Sequence, residues 1–380
     1  MSTGMPRPSS ATSSEPSFVQ VTSMLLRVSG QRLVDAVVDD FLGQVVGARG
    51  VGVHAGAARP APGRTGLRYR RRCRVDAGGG ISVLFHRRYP CAVFAGLAAI
   101  LRRFREECEA AQAGPFPVAC VVAIAGVLQG DQLLNSNLPW KVSLAETRRE
   151  AGIAHLHLIN DFEALAWALP QVPVDQLQVL GAGDGNGLRL PVVLVGPGTG
   201  LGAALVIDQG GRTGVQPSEA GHAALAANTP LELDVVRLLQ ARFGHVDNER
   251  VLSGPGLVNL YYALCELRGV QPRWHAPSEL VDAADAGSDL LAAECTALFC
   301  RWLGSFAGDL AITFRAGSVC LAGGLSGHLD RYLRQGGFMQ RFLDKGVLSD
   351  TLRDVPVYTV EHGQLGIIGA AAWHVAHHPS

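Results

Sequence analysis

Two apolar strand-like runs in this chain end directly in glycines. PVVLVG leads into GPGTGLG at residues 196–202, and SVCL leads into AGGL at 322–325. A strand that stops in glycines lets bare main-chain N–H groups approach an anion or a flat ring, because no side chain stands in the way. Other apolar runs, ISVLFHR from Ile81, VACVVAIA from Val118, HLHLI from His155 and VPVYTV from Val355, alternate with segments of helical period. The helices are expected over about 92–112, 144–152, 161–169, 231–242, 255–268 and 288–314, and from about Gln364 onward. This alternation predicts an α/β architecture. Two strand-to-glycine turns far apart in one chain predict one nucleotide cradle made of two loops.

Composition narrows the function classes. The chain has 380 residues, room for about two domains. With 48% apolar and 17% charged residues it can bury a sizeable core. Acidic and basic residues balance at 33 each, which argues against a dedicated nucleic-acid or membrane-surface protein. No apolar run reaches about 18 residues without a charge or a break, so no transmembrane helix is expected. The two lysines, Lys141 and Lys345, lie outside any Gly-Lys-Ser/Thr context, so the glycine turn is not a Walker A loop. Eight cysteines without a CxxC pair exclude a zinc ribbon, and their apolar neighbours fit a reduced, cytoplasmic setting. Residues 1–17, rich in Ser, Thr and Pro, read as a disordered tail without the features of a signal peptide.

Four further features carry chemistry, each with a plainer alternative. Thr199 adds a hydroxyl donor to the first turn, which on its residues alone reads equally as an ordinary tight hairpin. Gly323 and Gly324 read first as a simple strand-to-helix turn. In LINDFEALAWALP, Asn160 or Asp161 would cap a helix. An Asp held at a helix N-terminus is also what proton removal from an alcohol requires in phosphoryl transfer. Glu219 and His222 stand three apart in SEAGHAALA and suit hydrogen bonds to vicinal hydroxyls; a solvated turn serves as well. No further ligand at useful spacing makes this pair a metal site, and Glu249 in NERVLSGPGL reads as a surface residue.

The order of the pieces adds what no single piece gives. YPCAVFAGLAAIL, IAGVLQGDQLLNSNLPW, LINDFEALAWALP, GPGTGLGAALVI, SEAGHAALA, HVDNERVLSGPGLVNLY, VCLAGGL and VEHGQLGIIGAAAW follow one another from about Ile81 to the C-terminus. Together they resemble the bacterial glucokinase family of actin-like, hexokinase-type sugar kinases. The resemblance implies two actin-like (ribonuclease H-like) α/β domains with a cleft between them. Residues 18–170 plus 363–380 would form the small domain, with 18–80 atypical, and 171–362 the large one. It implies transfer of the ATP γ-phosphate to the 6-hydroxyl of glucose, with Mg2+, commonly in a homodimer. Asp161 would be the general base. Asn137, Asn160, Glu219, His222 and Glu249 would contact the sugar. Gly198, Thr199, Gly200 and Gly202 would hold the phosphates, and Gly323 and Gly324 would face the adenosine. The metal ligands stay unassigned.

One departure stands out. The family opens on a strand followed by Asp-x-Gly-Gly-Thr and a hairpin, whereas after SFV this chain reads QVTSMLLRVSG. VDAGGG at 75–80 offers Asp76, but ISVLFHR follows at once and leaves no room for the family's hairpin. A helix is expected near Leu33–Val45, no structure is assigned over 47–80, and the arginines at 68, 70, 71, 72 and 74 are expected in a solvated loop. The family pattern resumes abruptly at Ile81, and codons for Gln20–Ser23 can encode Gly-Asp-Val one base out of frame. Residues 20–80 are therefore expected to reflect a frame error or degeneration, with the central first strand missing. The rival reading is a catalytically impaired sugar-binding protein of the same fold. A sugar-responsive repressor would need a helix-turn-helix, and residues 1–80 offer none.

Overall fold

A computed structural model describes residues 19–26, 67–75, 81–90, 93–111, 119–134, 138, 140–181, 186–361 and 365–378. Over the first three strands it gives the backbone, with side chains at Arg87 and Tyr89. The expected helix at 33–45 and the tail at 1–17 lie outside the described residues.

The first sheet has the order β3-β2-β1-β4-β8, formed by β1 (Val19–Leu26), β2 (Leu67–Val75), β3 (Ile81–Pro90), β4 (Ala119–Ile124) and β8 (His155–Ile159). β1 pairs antiparallel with β2 and parallel with β4, so it is the central strand. This corrects the expectation of a missing first strand: VQVTSMLL lacks the Asp-x-Gly-Gly-Thr ending, but it occupies the centre of the sheet. The arginine-rich run is likewise a strand, not a loop. β2 pairs on both sides, Arg70 opposite Arg87 and Arg72 opposite Thr22. Asp76 and the glycines at 78–80 lie outside the described residues.

The second sheet has the order β12-β11-β10-β13-β14-β9, formed by β9 (Leu177–Gly181), β10 (Val192–Pro197), β11 (Leu201–Asp208), β12 (Thr213–Ser218), β13 (Ser318–Leu321) and β14 (Val357–Val360). β12, β11 and β10 run antiparallel, and β13 and β14 continue parallel to β10. Apart from the edge strand β9, this repeats the order and directions of the first sheet. The chain folds as two ribonuclease H-like α/β units of the actin-like kind. A small ribbon of β5 (Val127–Gln129), β6 (Gln132–Leu134) and β7 (Val142–Ser143) hangs from β4, with its tight turn at Gly130 and Asp131.

Strand periodicity explains the layers. Along β4, Cys120, Val122 and Ile124 pack with Leu97 and Leu101 of α1 (Leu97–Ala110). Val121 and Ala123 point the other way, to Ala164 of α3 (Asp161–Ala168) and Ala370 of α12 (Leu365–His377). A strand buried on both faces reads as an unbroken apolar run, as ACVVAI does. β10 does the same. Val193 and Val195 face α5 (Gly254–Arg268) and α7 (Leu290–Thr313), while Val192 and Leu194 face Leu165 and Ala168 of α3. Helix α3 thus packs on both sheets, with α12 beside it. By length and composition α7 could cross a membrane, but it is a core helix, with Leu298, Phe299 and Trp302 no more than 1% exposed.

Candidate active site

The site begins where β8 ends. Asn160 takes extended backbone angles, and its Oδ1 accepts the N–H groups of Phe162 at 2.8 Å and Glu163 at 3.2 Å. The capping alternative is therefore right for Asn160, and it frees Asp161 to stand as the first helical residue of α3. The helix start is held to the second sheet by the next side chain. The Phe162 ring lies on the Cα atoms of Gly196 and Gly202, which face each other across β10 and β11, and a methyl group on either would overlap the ring. Gly202, expected to hold phosphate, thus has a packing reason to be glycine. Asp161, the residue before Phe162, opens the helix turn that this contact anchors.

At the hairpin tip, the Gly198 N–H donates to the Gly200 carbonyl at 2.8 Å, and the Gly254 N–H at the start of α5 donates to the Gly198 carbonyl at 2.8 Å. Thr199 is exposed at the turn. The second glycine turn meets the first: Gly323 has φ 125°, and a Cβ there would stand 2.6 Å from the Pro197 carbonyl oxygen. Gly324 opens α8 (Gly324–His328). The two loops expected to form one cradle do touch.

Leu201 links this cradle to the Glu219–His222 turn. Its N–H donates to Glu249 Oε2 at 2.8 Å, and Gly221 packs against its carbonyl. Glu249, read from its own residues as a surface group, therefore sits against the glycine turn. His222 Nδ1 lies 3.4 Å from Asp247 Oδ2, and its Nε2 lies 4.0 Å from Glu219 Oε2. Asp247 also caps the short turn at 248–250 by accepting the Arg250 N–H at 2.8 Å. Buried Asn248 donates to the Ala223 carbonyl at 2.9 Å. These two side chains hold the Glu219–His222 turn.

A cleft of about 230 Å3 opens between the sheets. Leu158, Ile159, Asn160 and Glu163 line one wall, and Pro217, Ser218 and Glu219 the other. This is below the ~300–1,000 Å3 of drug-sized sites, and Asn160, Glu163, Ser218 and Glu219 are its polar groups in an otherwise apolar lining. The wall from the first sheet also includes Ile124, Gly126, Leu128 and Leu133. Asn137 lies outside the described residues.

The family model described as Glucokinase matches residues 71–377. The chain belongs to the glucokinase family. A glucokinase-like protein of Xylella fastidiosa is 43% identical over 291 residues, 76% of this chain and 85% of that protein. The glucokinase of Cronobacter sakazakii is 36% identical over 301 residues, 79% and 91% of the two chains. Among solved structures, glucokinase from an Antarctic psychrotroph superposes with a TM-score of 0.72 at 27% identity, covering 93% of this chain and 98% of that one. A ROK family glucokinase from Streptomyces griseus, solved with glucose and AMPPNP, shares the fold with a TM-score of 0.51 at 20% identity over 80% of this chain and 95% of that one.

Three groups at the site were not singled out by the sequence. Asp247 and Asn248 were hidden as ordinary turn residues in HVDNERV, although Asp and Asn ahead of a helical turn are capping signals. Glu163 was hidden in the apolar helix DFEALAWA; burial pushes its carboxyl above the ordinary value, and it faces the cleft.

Proposed function

We propose that the chain transfers the γ-phosphate of ATP to the 6-hydroxyl of glucose, giving glucose 6-phosphate and ADP. The sugar occupies the cleft between the sheets, against Asn160, Glu219 and His222, with Asn137 on the adjoining loop. Glu249 reaches it through Oε1 while Oε2 keeps the Leu201 N–H. Asp161 takes the proton of the 6-hydroxyl as that oxygen attacks phosphorus. The turn of Gly198, Thr199, Gly200 and Gly202 holds the phosphates with donors other than the Gly198 N–H, which the Gly200 carbonyl takes, and Gly323 with Gly324 flanks the adenosine. Mg2+ arrives on the triphosphate as part of the substrate. Residues 18–170 with 363–380 close on 171–362 and expel water, so that the sugar rather than water attacks.

One observation carries this reading. The Phe162 ring is clamped on Gly196 and Gly202, which ties the helix turn that opens at Asp161 to the base of the glycine hairpin. Asn160, just before Asp161, lines the cleft with Glu219. A helix start that carries a carboxylate, lines a small cleft through Asn160 and is tied to a bare main-chain turn supports phosphoryl transfer to a sugar. The test is a coupled assay of glucose 6-phosphate formation with MgATP. Wild type is expected to turn over, and Asp161→Ala to lose at least about 100-fold in kcat with glucose binding retained by calorimetry. Normal turnover by the variant would remove Asp161 from the chemistry. Glucose binding without turnover in the wild type would favour a sugar-binding protein. The enzyme is further proposed to act in the cytoplasm as a homodimer, which sedimentation of the purified protein tests.

A further inference from the structure

Midway along β8, where α12 packs, a second group of side chains converges. His157 projects from β8, and His374 and His378 lie one helical turn apart at the end of α12. One ring nitrogen from each lies within 4.8 Å of the others. His374 is 6% exposed, yet its Nδ1 has no hydrogen-bond partner, and the buried Nε2 of His157 has none either. An orphaned buried nitrogen on each of two different elements is unusual, because buried polar atoms are ordinarily paired. The His378 N–H continues the helix to the His374 carbonyl at 2.9 Å. Its Nδ1 is 3.2 Å from the same carbonyl oxygen, which leaves the Nε2 lone pair for another partner.

We propose that His157, His374 and His378 form a binding site for a borderline transition-metal dication, with Zn2+ as the reference ion. Three imidazoles with a fourth position open to solvent make a common Zn2+ ligand set. Residues four apart on a helix share one face, so His374 and His378 can act as a pair. A tetrahedral ion with Zn–N bonds near 2.0–2.1 Å needs nitrogens about 3.4 Å apart, so the rings close by at most about 1.4 Å. Of the three, His378 is the exposed one and so the one with room to close that distance. Burial, and then the neighbouring His378 and His157, lowers His374 to about 4, so its lone pair is available at neutral pH. Arg148 of α2 (Leu144–Ala151) also faces the group and donates to the Leu156 carbonyl at 2.8 Å. Imidazole selects Zn2+, Ni2+ or Cu2+ over Mg2+ and Ca2+, so the site is chemically separate from the ion carried by ATP. Bound metal would staple the end of α12 to the strand that leads into Asn160 and Asp161.

The test uses the full-length protein, stripped with EDTA and dialysed, then titrated with ZnCl2 against a chromophoric chelator while Tm is followed. Wild type is expected to bind one Zn2+ at these histidines with a saturable rise in Tm. His378→Ala is expected to bind at least ten-fold more weakly, to lose the Tm rise and to keep its rate of glucose 6-phosphate formation. His374→Gln should behave alike; because that position is buried, the exposed His378 variant alone decides between the outcomes if His374→Gln does not fold. Absence of binding at 100-micromolar-scale Zn2+ (about 10⁻⁴ M, already weak for a three-imidazole site) overturns the proposal. So does a His378→Ala protein that binds as tightly as wild type, or binding lost in His222→Ala instead.

Discussion

Glu163 stands two residues after Asp161, on the first turn of α3. Burial holds the Glu163 carboxyl above its ordinary 4.5, so the folded state grips its proton more tightly than the unfolded chain does. Such a group contributes stability below pH 4.5 and loses it as pH rises through the raised folded value, leaving a net penalty at neutral pH. Glu163→Gln is therefore expected to be more stable than wild type at pH 7–8, with the advantage shrinking toward pH 4; thermal melts across that range check it, and a constant difference refutes it. A second residue-scale prediction concerns Gly202. Gly202→Ala forces its methyl into Phe162 and should cost about 1–3 kcal/mol. Adding Phe162→Ala should recover part of that loss, a coupling of at least about 0.5 kcal/mol in a double-mutant cycle. If Gly202 served phosphate alone, Gly202→Ala would unfold like wild type. The sequence offered Gly202 as a phosphate ligand because a glycine-rich turn looks the same whether its bareness admits a ligand or an aromatic ring from elsewhere in the chain.

Elements whose burial is set by their own pattern were readable in advance. ACVVAI and VVLVGP are apolar throughout because both faces are covered, and their strands begin and end within a residue or two of expectation. The NDFEALAWA helix was readable from its cap, but its close contact with α12 was not, because that depends on Gly369, far along the chain. There α12 crosses α3 backbone to backbone: a Cβ on Gly369 would overlap the Ala164 carbonyl and stand 3.0 Å from the Ala168 N. Main chain inside a helix cannot move aside as a side chain can. Gly369→Val is expected to lower stability by about 1–3 kcal/mol or more, measured by urea midpoint, and to lower kcat with it, since α3 carries Asp161. Thr229→Ala makes the contrasting case. It removes one side of the capping box of α4 (Pro230–Phe243), whose Glu232 N–H is bonded to Thr229 Oγ1 at 3.2 Å. That should cost about 1 kcal/mol and leave kcat unchanged.

At the scale of the whole molecule, the two sheets repeat one strand order without a repeated sequence, because pairing direction and layer burial constrain residue class and not identity. The second sheet was legible through its glycine turns. The first was legible from Ile81 onward and misread before it, since VQVTSMLL and LRYRRRCRV carry little of the family's motif even though they can supply ladder hydrogen bonds. In the second sheet β10 turns into β11 through the Gly198–Gly200 hairpin; the corresponding connection from β1 to β2 lies outside the described residues. The position of β1 makes a decisive prediction. Ser23 pairs with Arg71 on one side and Val121 on the other, so β1 has no edge. Proline there removes a ladder donor and crowds a central strand, at a cost of about 3 kcal/mol or more. Because α3 and α12 rest on this sheet, the loss should reach Asp161: Ser23→Pro is expected to lower the urea midpoint and abolish glucose 6-phosphate formation. Trp140, Trp167 and Trp373 lie in or beside the first unit's packing and Trp302 in the second core, so fluorescence should report early loss of the first unit. A Ser23→Pro protein that unfolds and turns over like wild type would remove β1 from the sheet and restore the reading of residues 20–80 as a segment the fold does not use.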